Sequence, residues 1–511
     1  MAVRELELDD IQGNIIGGFN KDYQDFVVLK FKSGPAARAW IQELADDSNE
    51  FGVAVSSSEA VLKFNAQFKA LKGEGKEPER FIEAEWTSLS ISYAGMQALG
   101  IAATDLARFP TDFKAGMASR KAILNDVGSS DPSTWIAPFD APGTVHALLT
   151  VAADSEARLK LRLAEIRATG AFVAGVESLL LVEGRTRKDA KGQTGHEHFG
   201  FKDGVSQPGI RGINPPDDPI GNPNQGHPGQ DLLHPGEFVL GYATQRPVAK
   251  AGFDGPNPIP GDPSASGPAW TDNGSYLVFR RLAQDVPAFH SQVASLAAAH
   301  GMHPDLVGAK LVGRYQSGCP LEARAFQPSP FHVSSTDPER FQPGVADSDS
   351  LNNNFEFGDD PLGQVCPMAS HIRKAYPRDE TTQPNPADSE SETQTHRLLR
   401  RGIPFGRSFG APVGGDAGDP RGLVFQCYQK SIASQFEFVQ QSWVNKASFP
   451  PGANGGVPGE DPIIAQSASG PFQLDPSKPN IPVKHFVTTT GGEYFLTPSI
   501  STLQKIGSGA I

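Results

Sequence analysis

A strand-then-helix pattern runs twice through this 511-residue chain, and the repetition restricts the fold more than any other feature. In the first half DFVVLKFK, from Asp25, is a β-branched and aromatic run; Gly34-Pro35 follows, then Ala37, Ile41 and Leu44 at helical spacing. Leu89, Ile91 and Tyr93 alternate as a second strand, and VHALLTV from Val145 forms a third. Leu159, Leu163 and Ile166 then mark a helix before a fourth strand, VESLLLV from Val176. This is β-α-β-β-α-β, the order of a ferredoxin-like sandwich. The order restarts at Ser275, where SYLVFRRL predicts a strand, Asp285 and Pro287 a helix start, and Phe289, Val293 and Leu296 its buried face. RGLVFQCYQ from Arg421 is a further strand, followed by an amphipathic helix carrying Ile432, Phe436, Val439 and Trp443. KHFVTTT and EYFLTP flank Gly491-Gly492, which predicts a closing hairpin. The pattern therefore gives an α+β chain of two ferredoxin-like domains with antiparallel sheets, residues 1–210 and 211–511, the second inflated by long loops. Residues 204–267, dense in Gly and Pro, read as linker and loops, and the acidic stretch DETTQPNPADSESETQ from Asp379 as a mobile surface loop.

Lys and Arg number 45 against 58 Asp and Glu, a net charge of −13, which argues against nucleic acid or an anionic membrane as partner. No stretch approaches the ~18 apolar residues that span a bilayer. The opening MAVRELELDDIQGN lacks the apolar core of a signal peptide, which fits an intracellular protein or the mature form of a secreted one. Cys319, Cys366 and Cys427, without a CxxC pair, exclude a disulfide scaffold and a Cys-ligated zinc or iron–sulfur site. His196 and His198 flank Glu197 as half a metal site with no third ligand nearby. His290, His300 and His303 follow a helix face and its end, where a structural imidazole is the usual outcome. Asn273-Gly274-Ser275 is a glycosylation sequon.

The stretch His198 to Pro208, HFGFKDGVSQP, packs two glycines around one acid. Gly200 and Gly204 allow tight or positive-φ backbone and close approach to a flat ligand, with Asp203 on the irregular segment between them. An Asp-Gly pair alone is usually a turn. Joined with DDIQGNI from Asp9, CPMASHIRKAYPR from Cys366 and HRLLRRGIPFG from His396, it makes the chain resemble the dye-decolorizing peroxidases, haem enzymes unrelated in fold to the plant-type peroxidases. The resemblance runs from about Asp9 to Pro498 and its loop lengths are most like the fungal members. It implies two ferredoxin-like domains with haem b mainly in the second, and a secreted enzyme.

Carried over residue by residue, the resemblance implies that His371 is the proximal ligand of the haem iron and Asp461 its carboxylate partner, with Glu460 beside it. Arg400 matches the distal arginine, Arg401 being the rival, and Asp203 matches the distal acid. Leu423 and Phe425 match residues lining the distal pocket, or serve as ordinary sheet core; Gly200 and Gly204 belong to the pocket, and Arg373 pairs a haem propionate. Trp443 matches a surface radical relay, while its place on the 432–443 stripe equally suits a core residue. Some family members carry Tyr where this chain has Phe405, which shifts weight to Trp443 or to Tyr376, Tyr428 or Tyr494. The implied reaction reduces H2O2 and oxidises dyes, phenolic and other aromatic donors in one-electron steps, with Mn²⁺ as a further candidate substrate. An Asp base (pKa near 3.9) stays ionised at pH values where a His (near 6.5) is protonated, so activity is expected on the acid side. The competing reading is a haem-binding or haem-delivery protein with incidental peroxidase activity, which needs neither Asp203 nor Arg400; a third is a scaffold without haem.

Overall fold

The structure is a computed structural model. It describes all residues except 1–3, 47–53, 188–193, 203, 220–222, 247–259, 323–351, 383–388, 410–419, 452–456 and 468. The first half supplies four strands: β1 (Tyr23–Phe31), β2 (Glu85–Ser92), β3 (Ala147–Ala153) and β4 (Val176–Arg185), paired antiparallel in the order β4-β1-β3-β2. The second half supplies β5 (Ser275–Gln284), β6 (Leu399–Arg400), β7 (Ile403–Phe405), β8 (Gly422–Gln429) and β9 (Val487–Thr497). Here β9 pairs β5, β5 pairs β8, and β8 pairs β7 and β6. Both orders are that of a ferredoxin-like sheet, as the repeated pattern requires. The halves do not stand apart, however: Gly184 of β4 pairs Phe405 of β7, and Phe495 and Leu496 of β9 pair Ser92 and Ile91 of β2. The sheet thereby closes into one antiparallel barrel, leaving β4, β2 and β9 no unpaired edge at these seams.

Alternation along the strands sends one set of side chains into the barrel and the other toward helices. Phe26 and Phe139 meet Phe279 inside, with ring centroids 5.9 and 5.8 Å apart. Outside, the helix Gly34–Ala45 buries Trp40, Ile41 and Leu44, and the helix Val286–His300 starts where Asp285 accepts from the Ala288 amide. The expected amphipathic helix after β8 is instead two π-helical stretches, Ile432–Glu437 and Val439–Val444. It is buried on more than one face: Glu437 receives Arg120 at 2.8 and 2.6 Å and the Tyr494 hydroxyl at 3.0 Å.

Four expectations need correction or limit. Gly491-Gly492 makes no hairpin; β9 runs straight through with a register shift between Thr489 and Gly491. The glycines serve close packing, since a Cβ at Gly491 would lie 2.4 Å from a Phe139 ring carbon and one at Gly492 2.5 Å from Met117 Sδ. The Gly/Pro-rich segment is not a surface linker throughout, for Leu232 to Tyr242 is almost wholly buried except Gly241. Its backbone is satisfied by irregular bonds such as Leu240 N to Gly274 O, and Glu237 inside it takes the Lys430 ammonium at 2.6 Å. Of the acidic stretch, residues 383–388 lie outside the described residues, but its flanks are anchored: Glu380 and Thr393 are buried. Asn273 of the sequon is also buried, its amide donating to Glu7 and Asp10 at 2.9 and 2.7 Å, so in the folded chain it serves packing. All three cysteines are free and buried.

Replacing Gly491 by Ala should cost about 1–3 kcal/mol in urea unfolding, because the ring beneath must move. Gly170, exposed in a helix with nothing near its Cβ position, should instead tolerate or gain from Ala. Equal effects at the two sites would contradict the packing account.

Candidate active site

The face of β5 and β8 opposite Phe279 and Val424 forms the floor of a cavity of about 1520 Å³, its solvent-open mouth included. Leu282, Leu423, Phe425 and Phe436 give it apolar walls, and the loop from Glu197 to Pro208 borders it.

His371 stands in one wall at the first position of the helix His371–Ala375. Its Nδ1 lies 2.8 Å from Asp461 Oδ2. Asp461 is fully buried, and its other oxygen accepts the amides of Ile463 and Ile464 at 2.7 and 3.1 Å. Burial acts to raise this carboxyl's pKa, but the facing imidazole and the two amides outweigh it and hold Asp461 below the usual carboxylate range. An ionised Asp461 fixes the proton on Nδ1, so Nε2 is the nitrogen with the lone pair a metal takes.

Arg400, at the end of β6, also lines the cavity. Its Nη2 donates to the Ser206 carbonyl at 2.6 Å, and the Gln207 side chain brackets its backbone with two bonds of 3.2 Å. Asp203 lies outside the described residues; Ser206 and Gln207 follow it by three and four positions. Arg401 points away, donating to the carbonyls of Asn14, Ile15, Ile16 and Arg400, which separates the two rivals. This also gives the DDIQGNI motif a task, since Arg401 caps the C-terminal carbonyls of its short helix. Leu423 and Phe425 both line the cavity, while Val424 between them is in the main core.

Other expected residues sit differently. Arg373 is absent from the cavity wall: its guanidinium is fully buried and held by Glu380 at 2.7 and 2.8 Å, by Asp360 and by the Cys366 carbonyl. Nothing of it is left to pair a ligand carboxylate. Trp443 is not a surface residue; it is 3% exposed and stacks on Phe449 with centroids 5.5 Å apart, flanked by Phe438 and His396. Gly200 has φ +100°, as its backbone freedom suggested, whereas Gly204 is exposed and open. Of the three tyrosines, Tyr376 lines the cavity; Tyr428 and Tyr494 do not. Glu197, the middle of HxH, carries no signal of its own in the sequence, yet it accepts the Phe199 and Phe201 amides at 2.7 and 2.8 Å and Gln284 Nε2 at 2.6 Å. It anchors the loop leading to Asp203. His196 and His198 bond the carbonyls of Gln316 and Phe405, and among the described residues no group of three His, Cys, Asp or Glu is placed to hold a metal ion.

Residues 10–188 match the family model of the DyP dimeric alpha+beta barrel domain, and residues 259–449 that of the C-terminal part of the Dyp-type peroxidases. The chain is 31% identical to the dye-decolorizing peroxidase of Exidia glandulosa over 523 aligned positions, spanning 98% of this chain and 87% of that one. It belongs to the dye-decolorizing peroxidase family. A solved ancestral D-type dye-decolorizing peroxidase superposes with a TM-score of 0.76 at 30% identity, covering 99% of this chain and all of that one. Another dye-decolorizing peroxidase, solved with 2,6-dimethoxyphenol, gives 0.72 at 26% identity over 98% of this chain and all of that one. The protein is thus a peroxidase, an oxidoreductase that uses H2O2.

In this dye-decolorizing peroxidase His198 should set part of the acid limit of stability. Burial first, then the charges of Arg187 and Arg421, push its pKa down to about 4, against the Phe405 carbonyl that favours its charge. Its Nδ1 has no hydrogen-bond partner among the described residues. The unfolded chain takes up this proton near pH 6.5 and the folded one only near 4, so stability is complete above 6.5 and falls between those values. The loss amounts to roughly 3 kcal/mol at most. His198→Gln should flatten the decline in urea unfolding between pH 7 and 4.5; an unchanged decline would remove His198 from that role.

Proposed function

We propose that this peroxidase holds haem b in the cavity, where His371 would ligate the iron. It reduces H2O2 through Asp203 and Arg400 and oxidises dyes, phenolics and other aromatic donors one electron at a time, best on the acid side. The observation carrying the proposal is the bond between the cavity-wall imidazole of His371 and the buried carboxylate of Asp461. The donor set suits an iron tetrapyrrole: apolar walls for the ring, an oriented imidazole for the metal, and cations for its carboxylates. Arg280, 2% exposed in the wall, has Nε and Nη1 without a hydrogen-bond partner among the described residues, while Nη2 is taken by Asp126 and Thr489. Bound haem supplies the redox-active iron. The chain supplies the rest: His371 presents an electron-rich ligand, and Arg400 offers a fixed positive charge to the oxygen on which negative charge develops. Asp203 takes a proton from one peroxide oxygen and returns it to the other. A haem carrier has no need of that pair.

For donors too large for the cavity, support moves from Trp443, which is buried, to Tyr376. The Tyr376 hydroxyl donates to Asp231 at 2.7 Å, and that carboxylate is 19% exposed and so can pass a proton outward. The complex of a relative with 2,6-dimethoxyphenol supports phenolic donors. Likeness to fungal enzymes supports action outside the cell, and for Mn²⁺ oxidation the described residues offer no group of three His, Cys, Asp or Glu as support.

His371→Ala should yield folded protein with little haem; full occupancy with an unchanged spectrum would sink the ligand assignment. Arg400→Leu or Asp203→Asn should keep haem and slow the reaction with peroxide on the order of 10²-fold or more. Parent rates in both would refute the distal assignment. Trp443→Ser should lower stability by roughly 3–5 kcal/mol and reduce haem retention and dye turnover in parallel. Selective loss of dye turnover at parent stability would restore the relay role.

A further inference from the structure

Lys374 is buried one helical turn after His371, and its surroundings are unusual for a cation. Among the described residues its ammonium forms no ion pair. It donates instead to three backbone carbonyls, those of Lys446, Phe449 and Gly459, at 2.7, 2.6 and 2.8 Å. An ammonium has three protons, so all are used. All three carbonyls belong to the segment leading into Asp461: Lys446 and Phe449 stand at its start, and Gly459 is two residues before the carboxylate. The Asp461 amide is itself tied to the Val444 carbonyl at 3.0 Å.

We propose that Lys374 is a positioning residue for the His371–Asp461 pair, its ammonium gripping the carbonyls of Lys446, Phe449 and Gly459 so that Asp461 is held against His371. The inference rests on His371 being the iron ligand. The carboxylates of Asp461, Glu460 and Glu380 favour the Lys374 charge from beyond ion-pair distance, yet burying it remains costly, and an apolar residue would fill the space at less cost while leaving three carbonyls unsatisfied. What the cation adds is a rigid link between the helix that starts with His371 and the chain that carries its hydrogen-bond partner. That link matters because the strength of an imidazole–carboxylate bond, and with it the basicity of the ligand, depends on sub-ångström placement. Burial brings the Lys374 pKa down to about 7, so the grip is complete on the acid side.

The test is the iron(III)/iron(II) reduction potential of the haem-loaded enzyme at about pH 5, by spectroelectrochemistry. Lys374→Met and the milder Lys374→Gln, which keeps two donors, are each made in the parent and in an Asp461→Asn background. Asp461→Asn should raise the potential, since the ligand loses its anionic partner. Both Lys374 variants should raise it in the same sense by less, and should add nothing once Asp461 is Asn. No shift in the parent, an equal added shift in the Asp461→Asn background, or loss of folding in both variants would assign Lys374 to stability alone and overturn the proposal. An Asp461→Asn enzyme with the parent potential would instead fail the axial reading on which it rests.

Discussion

Closure of the sheet is the constraint on which the rest depends. A four-stranded ferredoxin-like sheet has two open edges, and an unpaired edge exposes backbone donors and acceptors. Here the edges of one half meet those of the other, at Gly184 with Phe405 and at Ser92 and Ile91 with Phe495 and Leu496. The first seam is narrow and tightly packed. A Cβ at Gly184 would lie 2.5 Å from Ile403, the Phe405 carbonyl receives His198 Nε2, and the Arg281 guanidinium covers the Phe405 ring at 4.1 Å. Just upstream, Arg401 is fastened to residues 14–16 of the first half. Between these fixed points Arg400 has little freedom, so the seam also sets one wall of the active cavity.

The cavity inverts the charge of the molecule around it. The chain carries −13 overall, yet Arg280, Arg314, Arg378, Arg397 and Arg400 all line this one space. Some are neutralised from behind, Arg280 by Asp126 and Arg397 by Asp231, both at 2.5 Å. The resulting interior favours a ligand that brings negative charge, and peroxide on its way to losing a proton.

Much of this was legible in the sequence because it is local. Strand alternation and helix spacing are set by which side chains must be buried, and they located seven of the nine barrel strands, short β6 and β7 being reached only through the HRLLRRGIPFG motif that contains them. Closure was not legible, since one seam consists of a single residue pair and leaves no periodic trace. Gly491-Gly492 misled because glycine serves both turns and close packing, and only the neighbouring Phe139 ring tells them apart. Arg373 misled for a related reason: its type suits a ligand contact, but Glu380 and Asp360, which no motif marks as its partners, use it up. Trp443 left relay and core equally open, and its packing against Phe438, Phe449 and His396 decides for the core. Glu197 and Lys374 carried no signal beyond their motifs, because they act mainly on backbone groups, which have no sequence identity.

The central claim is that the His371 imidazole, oriented by Asp461, holds a haem that reacts with peroxide. The most direct measurement is the absorption spectrum of the purified, haem-loaded protein before and after one equivalent of H2O2. A Soret band that shifts at once to a higher-valent form and returns on addition of a phenolic donor is the result this account requires. A protein that takes up no haem, or a Soret band that stays in place when peroxide is added, would contradict it.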